Sequence, residues 1–204
     1  MIKNIIFDYG KVLVNWNPYF QYTPFFADEQ KYKYFLEEIL TDEWYNEGDI
    51  GVPMEELIEK WSARYPEFAD AFQFYVDGFE DSISGEVPGM YELISGLKQR
   101  GYRTWGLSNW SWEMFQRILP KYRIFSLMEG MVISGKVHML KPNPEIYEYF
   151  LERYSLKAEE CVFIDDRPEN IVGAALVGIK GIVFKDTEQL SAELEPLLSG
   201  KSQR

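Results

Sequence analysis

The chain has 204 residues, 46% apolar, 26% charged and 17% aromatic, with a formal net charge of −12. This composition suits a folded chain with a sizeable core rather than disorder, and the acidity argues against nucleic-acid binding, which needs a basic face. One cysteine, Cys161, and one histidine, His138, exclude an internal disulfide and a Cys/His zinc site. The first apolar run is too short for a signal peptide and no run reaches bilayer-spanning length, so the expected setting is cytoplasmic, with no membrane partner.

In chain order, Ile5-Ile6-Phe7 is a short continuous apolar run that stops at Asp8, the pattern of a strand buried on both faces. Residues 15–86 lack such runs. They carry helical spacing instead, at Leu36, Ile39 and Leu40 and again at Leu57, Ile58 and Trp61. Asp49-Ile50-Gly51-Val52-Pro53 reads as a turn between helices. The segment is expected to be a helical insertion that rejoins the rest near Glu86-Val87-Pro88-Gly89. Trp16, Tyr19 and Phe20 sit where it leaves the first strand, as hinge packing or pocket wall.

Residues 89–100 read as a helix, with Met90, Leu93, Ile94 and Leu97 on one face and Gly101 as the stop. Trp105-Gly106-Leu107 repeats the strand pattern and ends at Ser108-Asn109. Residues 144–154 form a second helical pattern on Ile146, Tyr147, Phe150, Leu151 and Tyr154, with Asn143 at the N-cap and Pro144 in the first turn. Cys161-Val162-Phe163-Ile164 ends at Asp165-Asp166. A short helix at 170–177 stops at Gly178, and Gly181-Ile182-Val183-Phe184 is a fourth strand-like run.

Strands alternating with helices predict an α/β fold with a parallel sheet, whose ligands bind at the carboxyl ends of the strands. Asp8, Ser108-Asn109 and Asp165-Asp166 all stand there. The expected division is a core of residues 1–14 and 87–199, a helical unit of 15–86, and a frayed tail of 200–204.

Each polar element has a plain explanation by itself. Asp8 is a strand-end aspartate, or a carboxylate nucleophile at a strand tip, with Gly10 letting the Tyr9 and Gly10 amides face phosphate oxygens. Asp165-Asp166 is a repelling pair, relieved if one points to solvent or if a cation sits between them. Magnesium takes oxygen ligands and needs only one or two carboxylates directly. Asn170 stands where it can bond that pair or cap its helix. Lys141 is a surface lysine, or a fixed charge that neutralises phosphate or the nucleophile. Ser108-Asn109 is a common turn, or a pair of donors to phosphate. His138, Cys161, Trp110 and Trp112 read first as structural residues, His138 with a secondary reading as a catalytic acid and Trp110 and Trp112 with a secondary role as sugar-facing rings.

Together, Phe7-Asp8-Tyr9-Gly10-Lys11-Val12-Leu13, Leu107-Ser108-Asn109, Leu140-Lys141-Pro142-Asn143-Pro144-Glu145-Ile146-Tyr147 and Phe163-Ile164-Asp165-Asp166-Arg167-Pro168-Glu169-Asn170 resemble the haloacid dehalogenase superfamily, in its phosphatase branch. The resemblance implies a Rossmann-like core, residues 15–86 as a helical cap, Mg2+ as cofactor and a small-molecule phosphate ester as substrate. It implies Asp8 as nucleophile and magnesium ligand, Asp166 and the Gly10 carbonyl as further ligands, and Asp165 supporting the metal. Tyr9, Gly10, Ser108, Asn109 and Lys141 would hold the phosphate. Monomer and homodimer are both compatible.

The chain departs from the pattern at Gly10, where most phosphatases of the family carry an aspartate that acts as general acid and base. A subgroup with Gly here, similar to this chain across both domains, includes sugar-1-phosphate phosphatases, which implies substrates with good leaving groups. Haloacid dehalogenases proper also have Gly here. They need no metal and use a cap arginine, whereas this chain has no arginine before Arg64 and keeps the acidic pair. A weakly active or non-catalytic binder of phosphate ligands is the third reading.

Overall fold

The computed structural model describes residues 1–200. Of the tail expected to fray, residues 201–204 lie outside the described residues. The chain opens with β1 (Asn4–Phe7), whose unbroken apolar run is buried along its whole length. β2 (Val14–Trp16) follows, then five helices: α1 (Pro18–Tyr22), α2 (Glu29–Tyr34), α3 (Asp42–Asp49), α4 (Met54–Arg64) and α5 (Ala69–Asp77). β3 (Ile83–Glu86) returns to pair antiparallel with β2. Thereafter strands and helices alternate: α6 (Met90–Gln99), β4 (Arg103–Ser108), α7 (Trp112–Ile118), β5 (Met131–Ile133), α8 (Ser134–Val137), α9 (Pro144–Tyr154), β6 (Cys161–Asp165), α10 (Pro168–Leu176), β7 (Lys180–Val183) and α11 (Thr187–Leu198).

Five strands form one parallel sheet in the order β5-β4-β1-β6-β7. β1 lies at its centre, and its side chains alternate between two cores, as strand geometry demands. Ile5 and Phe7 join the larger core, with Met90, Ile94 and Leu97 of α6, Phe115 of α7 and Leu190 and Leu194 of α11. Ile6 points to the other face, with Trp105, Phe163, Ile146 and Phe150 of α9 and Ala174 of α10. The sheet is thus covered on both sides, as a parallel sheet must be. This is the α/β architecture expected from the alternating pattern.

The helices between β2 and β3 bury an aromatic cluster continuous with the larger core. The Phe72 ring lies 4.9 Å from Trp44, 5.4 Å from Phe35 and 6.1 Å from Trp61. Two features differ from the expectation. Residues 15–86 were expected to lack strands, yet their two ends form the β2–β3 ribbon, with Val14 opposite Glu86 and Trp16 opposite Ile83. β5 is also additional: it is three residues at the sheet edge, too short to show a period. Asn143 does occupy the cap position of α9, but its side chain makes no capping bond.

Candidate active site

The parallel register sets the site. Phe7 pairs with Gly106 on one side and with Ile164 on the other. Asp8, Ser108 and Asp165 therefore emerge together at the carboxyl edge of the three central strands, where β1 has a neighbour on each side. The Tyr9 ring turns away beneath them. It stacks 5.5 Å from Phe115, and a Cβ on Gly106 would lie 1.8 Å from its hydroxyl. Glycine at 106 is what lets that ring cross β4. Neither the Tyr9 nor the Gly10 amide donates to another backbone group among the described residues.

Lys141 is 4% exposed, far from the surface lysine that its residue type alone suggests. Its Nζ lies 2.9 Å from Asp8 Oδ1 and 2.6 Å from Asp165 Oδ2, and donates to the Leu107 carbonyl at 3.1 Å. Those contacts match its three N–H donors. Burial pulls Lys141 toward neutrality, but Asp165 and Asp8 more than offset this and hold it charged. Asn109 was expected to donate to phosphate. Its side chain instead clasps the Lys141 backbone, donating to the carbonyl and accepting from the amide, both at 2.9 Å.

Asp165 is fully buried and its oxygens are engaged. Oδ1 accepts from the Arg167 amide at 2.8 Å and from Asn170 Nδ2 at 2.9 Å; Oδ2 accepts from Asn170 Nδ2 at 3.0 Å and from Lys141. Asp166 is more open, with Lys11 Nζ 3.8 Å away. Burial pushes the Asp8 carboxyl up to about 6, against the pull of Lys141 and with the repulsion of Asp165 and Asp166. Burial also raises Asp166, with Asp165 adding to it.

These groups fit a divalent cation. One carboxylate oxygen from each of Asp8, Asp165 and Asp166 lies within 4.8 Å of the others. Among the described residues Lys141 is the one buried cation beside them, and Lys11 reaches only Asp166, at 3.8 Å. Asp8 and Asp166 are raised chiefly by burial, with repulsion from Asp165 adding to it. A hard cation with oxygen ligands relieves such a set.

The carboxylates sit in a cavity of about 560 Å³ whose lining includes Asp8, Gly10, Ser108, Asn109, Lys141 and Asp166. Tyr9 and Asp165 lie behind this surface, both fully buried. The opposite wall comes from the segment between β2 and β3, including Trp16, Tyr19, Tyr45, Asn46 and Asp49. Trp16, Tyr19 and Trp110 thus line the cavity, while Phe20 is exposed and lies off it. Trp112 is not part of the lining and instead lies under Lys136. His138 is also outside it, its Nδ1 bound to the Ile50 carbonyl at 2.8 Å.

Among the lining residues to which the sequence reading gave no role are the charged Arg167, Asp42 and Asp49. Arg167 bridges Asp42 of α3 at 2.9 Å, linking the β6 loop to the opposite wall. Asp49 was read only as part of a turn. Burial pushes its carboxyl up to about 7, with the nearby charge of Asp8 adding to this and the Ser111 amide opposing it. A raised carboxyl in a cleft is itself a signal of function, but it exists only once the chain has folded.

Residues 2–178 match the family of haloacid dehalogenase-like hydrolases. The sesquiterpene phosphatase astK of Aspergillus oryzae is 26% identical to the chain, over 96% of each protein. Drimenol cyclase drtB of Aspergillus calidoustus is 23% identical over the whole of this chain, which spans 38% of that protein's length. Among solved structures, a HAD family enzyme of Bacteroides thetaiotaomicron, crystallised with magnesium and inorganic phosphate, superposes with a TM-score of 0.74. It is 22% identical, over 95% of this chain and 99% of the other, a likeness of fold. Among the described residues no helix is long and apolar enough to cross a membrane.

Proposed function

The chain belongs to the haloacid dehalogenase-like hydrolase family, and we propose that it is a magnesium-dependent phosphatase of small phosphate monoesters that works through an aspartyl-phosphate on Asp8. The observation that carries this reading is the buried Lys141, 2.9 Å from Asp8, beside three carboxylates that leave room for a cation. Its likeness to a sesquiterpene phosphatase over 96% of both chains supports the reaction class.

In this reading Asp8, Asp166 and the Gly10 carbonyl hold the magnesium, and Asp165 supports it from behind, since its oxygens already bond Lys141, Asn170 and the Arg167 amide. Bound there, the ion supplies positive charge that offsets the repulsion between carboxylate nucleophile and phosphate. Asp8 attacks phosphorus. The Tyr9 and Gly10 amides, the Ser108 hydroxyl, the Asn109 amide and Lys141 receive the equatorial oxygens, where charge builds in the transition state. Lys141 keeps Asp8 ionised and aimed.

Residues 15–86 act as a cap, with the β2–β3 ribbon as its stem, and shape the space for the leaving group. Trp16, Tyr19 and Tyr45 offer ring faces, and Asn17 and Asn46 offer amides. That mixture suits a sugar or similar metabolite with polar and apolar faces. Dehalogenation is not favoured: Arg64, the one arginine of the segment, pairs with Glu43 at 2.8 Å and does not line the cavity.

The test is release of inorganic phosphate from a panel of sugar and aryl phosphates, with and without magnesium, by the parent chain and by Asp8→Asn. Turnover that needs both magnesium and Asp8 is expected. No release from any ester, activated aryl phosphates included, would overturn the reading.

A further inference from the structure

Gly10 leaves the phosphatase reading without a proton donor for the leaving group, and the cavity offers another. Two carboxylates of the 15–86 segment line it, Asp42 and Asp49. Asp42 is bound to Arg167 at 2.9 Å. Asp49 has no ion-pair partner among the described residues, ends α3 and faces the same space as Asp8, Ser108 and Lys141. We infer that Asp49 is the general acid and base of this site, in place of the residue that Gly10 cannot supply; the inference rests on the phosphatase reading.

The backbone around Asp49 is fastened to the core as well as to its own helix. Ser134 Oγ donates to the Asp49 carbonyl at 2.6 Å, and His138 Nδ1 lies 2.8 Å from the Ile50 carbonyl. The Met54 amide donates to Glu113 at 3.3 Å. Gly51 has φ +100, and a Cβ there would lie 2.6 Å from His138 Nδ1 and 2.8 Å from the Gly135 carbonyl. Only glycine lets the turn sit so close to the core while holding that backbone angle. Core groups thus fix the backbone that carries this carboxyl at the cavity wall, as a catalytic acid requires.

Its surroundings suit an acid that holds its proton near neutrality. Burial opposes its ionisation, Asp8 repels it, and the carboxyl stands at the C-terminal, negative end of α3. The other candidates are placed differently. His138 is engaged with Ile50, and the Tyr45 and Tyr75 hydroxyls are driven by burial well above their ordinary range.

The chemistry balances over two steps. As an Asp8 oxygen bonds phosphorus, the bond from phosphorus to the ester oxygen breaks, and that oxygen takes the proton of the Asp49 carboxyl and leaves as an alcohol. The Asp49 carboxylate then takes a proton from water as the water oxygen bonds phosphorus. The bond from phosphorus to Asp8 breaks, inorganic phosphate is released, and Asp49 is again protonated.

The probes are phenyl phosphate, whose leaving group needs a proton, and 2,4-dinitrophenyl phosphate, whose leaving group does not. With magnesium present, Asp49→Asn is expected to lower kcat/KM for phenyl phosphate about 100- to 1,000-fold, and that for the dinitrophenyl ester less than about 10-fold. Its kcat for the dinitrophenyl ester should also fall, with a burst of phenolate, because the second step has lost its base. The retained kcat/KM on that ester shows that the variant is folded. Equal losses on both esters, or none on either, would overturn the Asp49 assignment and leave the phosphatase reading standing. A parent chain inactive toward both esters would overturn the phosphatase reading and the assignment with it.

Discussion

Asn109 holds Lys141 by its main chain, its side-chain amide donating to the Lys141 carbonyl and accepting from the Lys141 amide, both at 2.9 Å. The residue that follows the strand-end serine thus positions the buried lysine, whose ammonium reaches Asp8. Asn109→Ala removes both bonds and lets that loop move. A misplacement of about 1 Å at a reacting centre can cost about 100-fold. The variant is expected to lose roughly 10- to 100-fold in kcat/KM for any phosphate ester that the parent hydrolyses, with its far-ultraviolet circular dichroism intact. Unchanged kinetics would remove Asn109 from the positioning of Lys141.

Lys141 is the charge that allows Asp8 and Asp165 to be buried together. Removing one member of a buried pair costs about 3–5 kcal/mol, because the other charges remain uncompensated. Lys141→Ala is expected to lower stability by that order in urea unfolding without magnesium, and to abolish phosphate release. Lys141→Ala combined with Asp165→Asn removes one of the stranded charges and should recover part of the stability but none of the activity. A double variant no more stable than the single one would count against the charge argument.

Magnesium is expected to stabilise the protein by mass action. An ion that binds only the folded state adds about 2.7 kcal/mol at 100 times its dissociation constant, which for a chain of this size raises Tm by roughly 5–10 °C. Asp166→Asn should reduce that gain. It removes the most exposed of the three clustered carboxylates while leaving the pairing of Lys141 with Asp8 and Asp165 in place. A magnesium-dependent rise of Tm that is the same in Asp166→Asn would place the ion elsewhere.

The parts of the site that the sequence made legible are those built by local pattern. Asp8 and Asp165 are visible because unbroken apolar runs stop at them, and Lys141 because a proline-flanked helix start follows it. Strand alternation put three of these ends on one edge, and the sheet order places them side by side. Contacts remote in sequence left no such mark. Asp49 depends on Ser134, 85 residues away, and its neighbour Ile50 on His138, 88 residues away. In the sequence, Asp49-Ile50-Gly51-Val52-Pro53 is only a turn between helices. The clasp of Asn109 on Lys141, and the β2–β3 ribbon joining residues 14–16 to 83–86, likewise exist only after folding. The expectation of an easily departing substrate rested on Gly10 and on the subgroup that shares it; with Asp49 as the proposed acid, Gly10 alone no longer requires such a substrate.

Asp49 also makes a prediction about stability. Its carboxyl is raised from an ordinary value of 3.8 to about 7 in the fold, so between these values the folded chain holds a proton that the unfolded chain has released. Stability from this group is then full at low pH, falls as pH rises through that window, and is gone above it. Asn carries no charge to bury. Without magnesium, Asp49→Asn should be more stable than the parent at pH 8, by about 1–3 kcal/mol after allowing for water in the open cavity. At pH 4 this titration should give no difference between the two. Urea unfolding at both values measures it, and a difference independent of pH would show that Asp49 ionises as freely in the fold as in the unfolded chain.

The last prediction joins Gly10 to Asp49. A Cβ at Gly10 would meet nothing within 4 Å, and its φ is not in the left-handed region, so aspartate fits there without strain. If Asp49 donates the proton, a second acid at position 10 is redundant in the parent and restorative in the variant that lacks Asp49. Gly10→Asp alone is expected to change kcat/KM for phenyl phosphate less than about 10-fold, and in the Asp49→Asn background to raise it by about 10-fold or more. Residues that share one function are non-additive in this way, whereas independent residues give the same ratio in both backgrounds. Equal ratios would mean that Asp49 and position 10 serve different ends, and that an acid at position 10 does not stand in for Asp49.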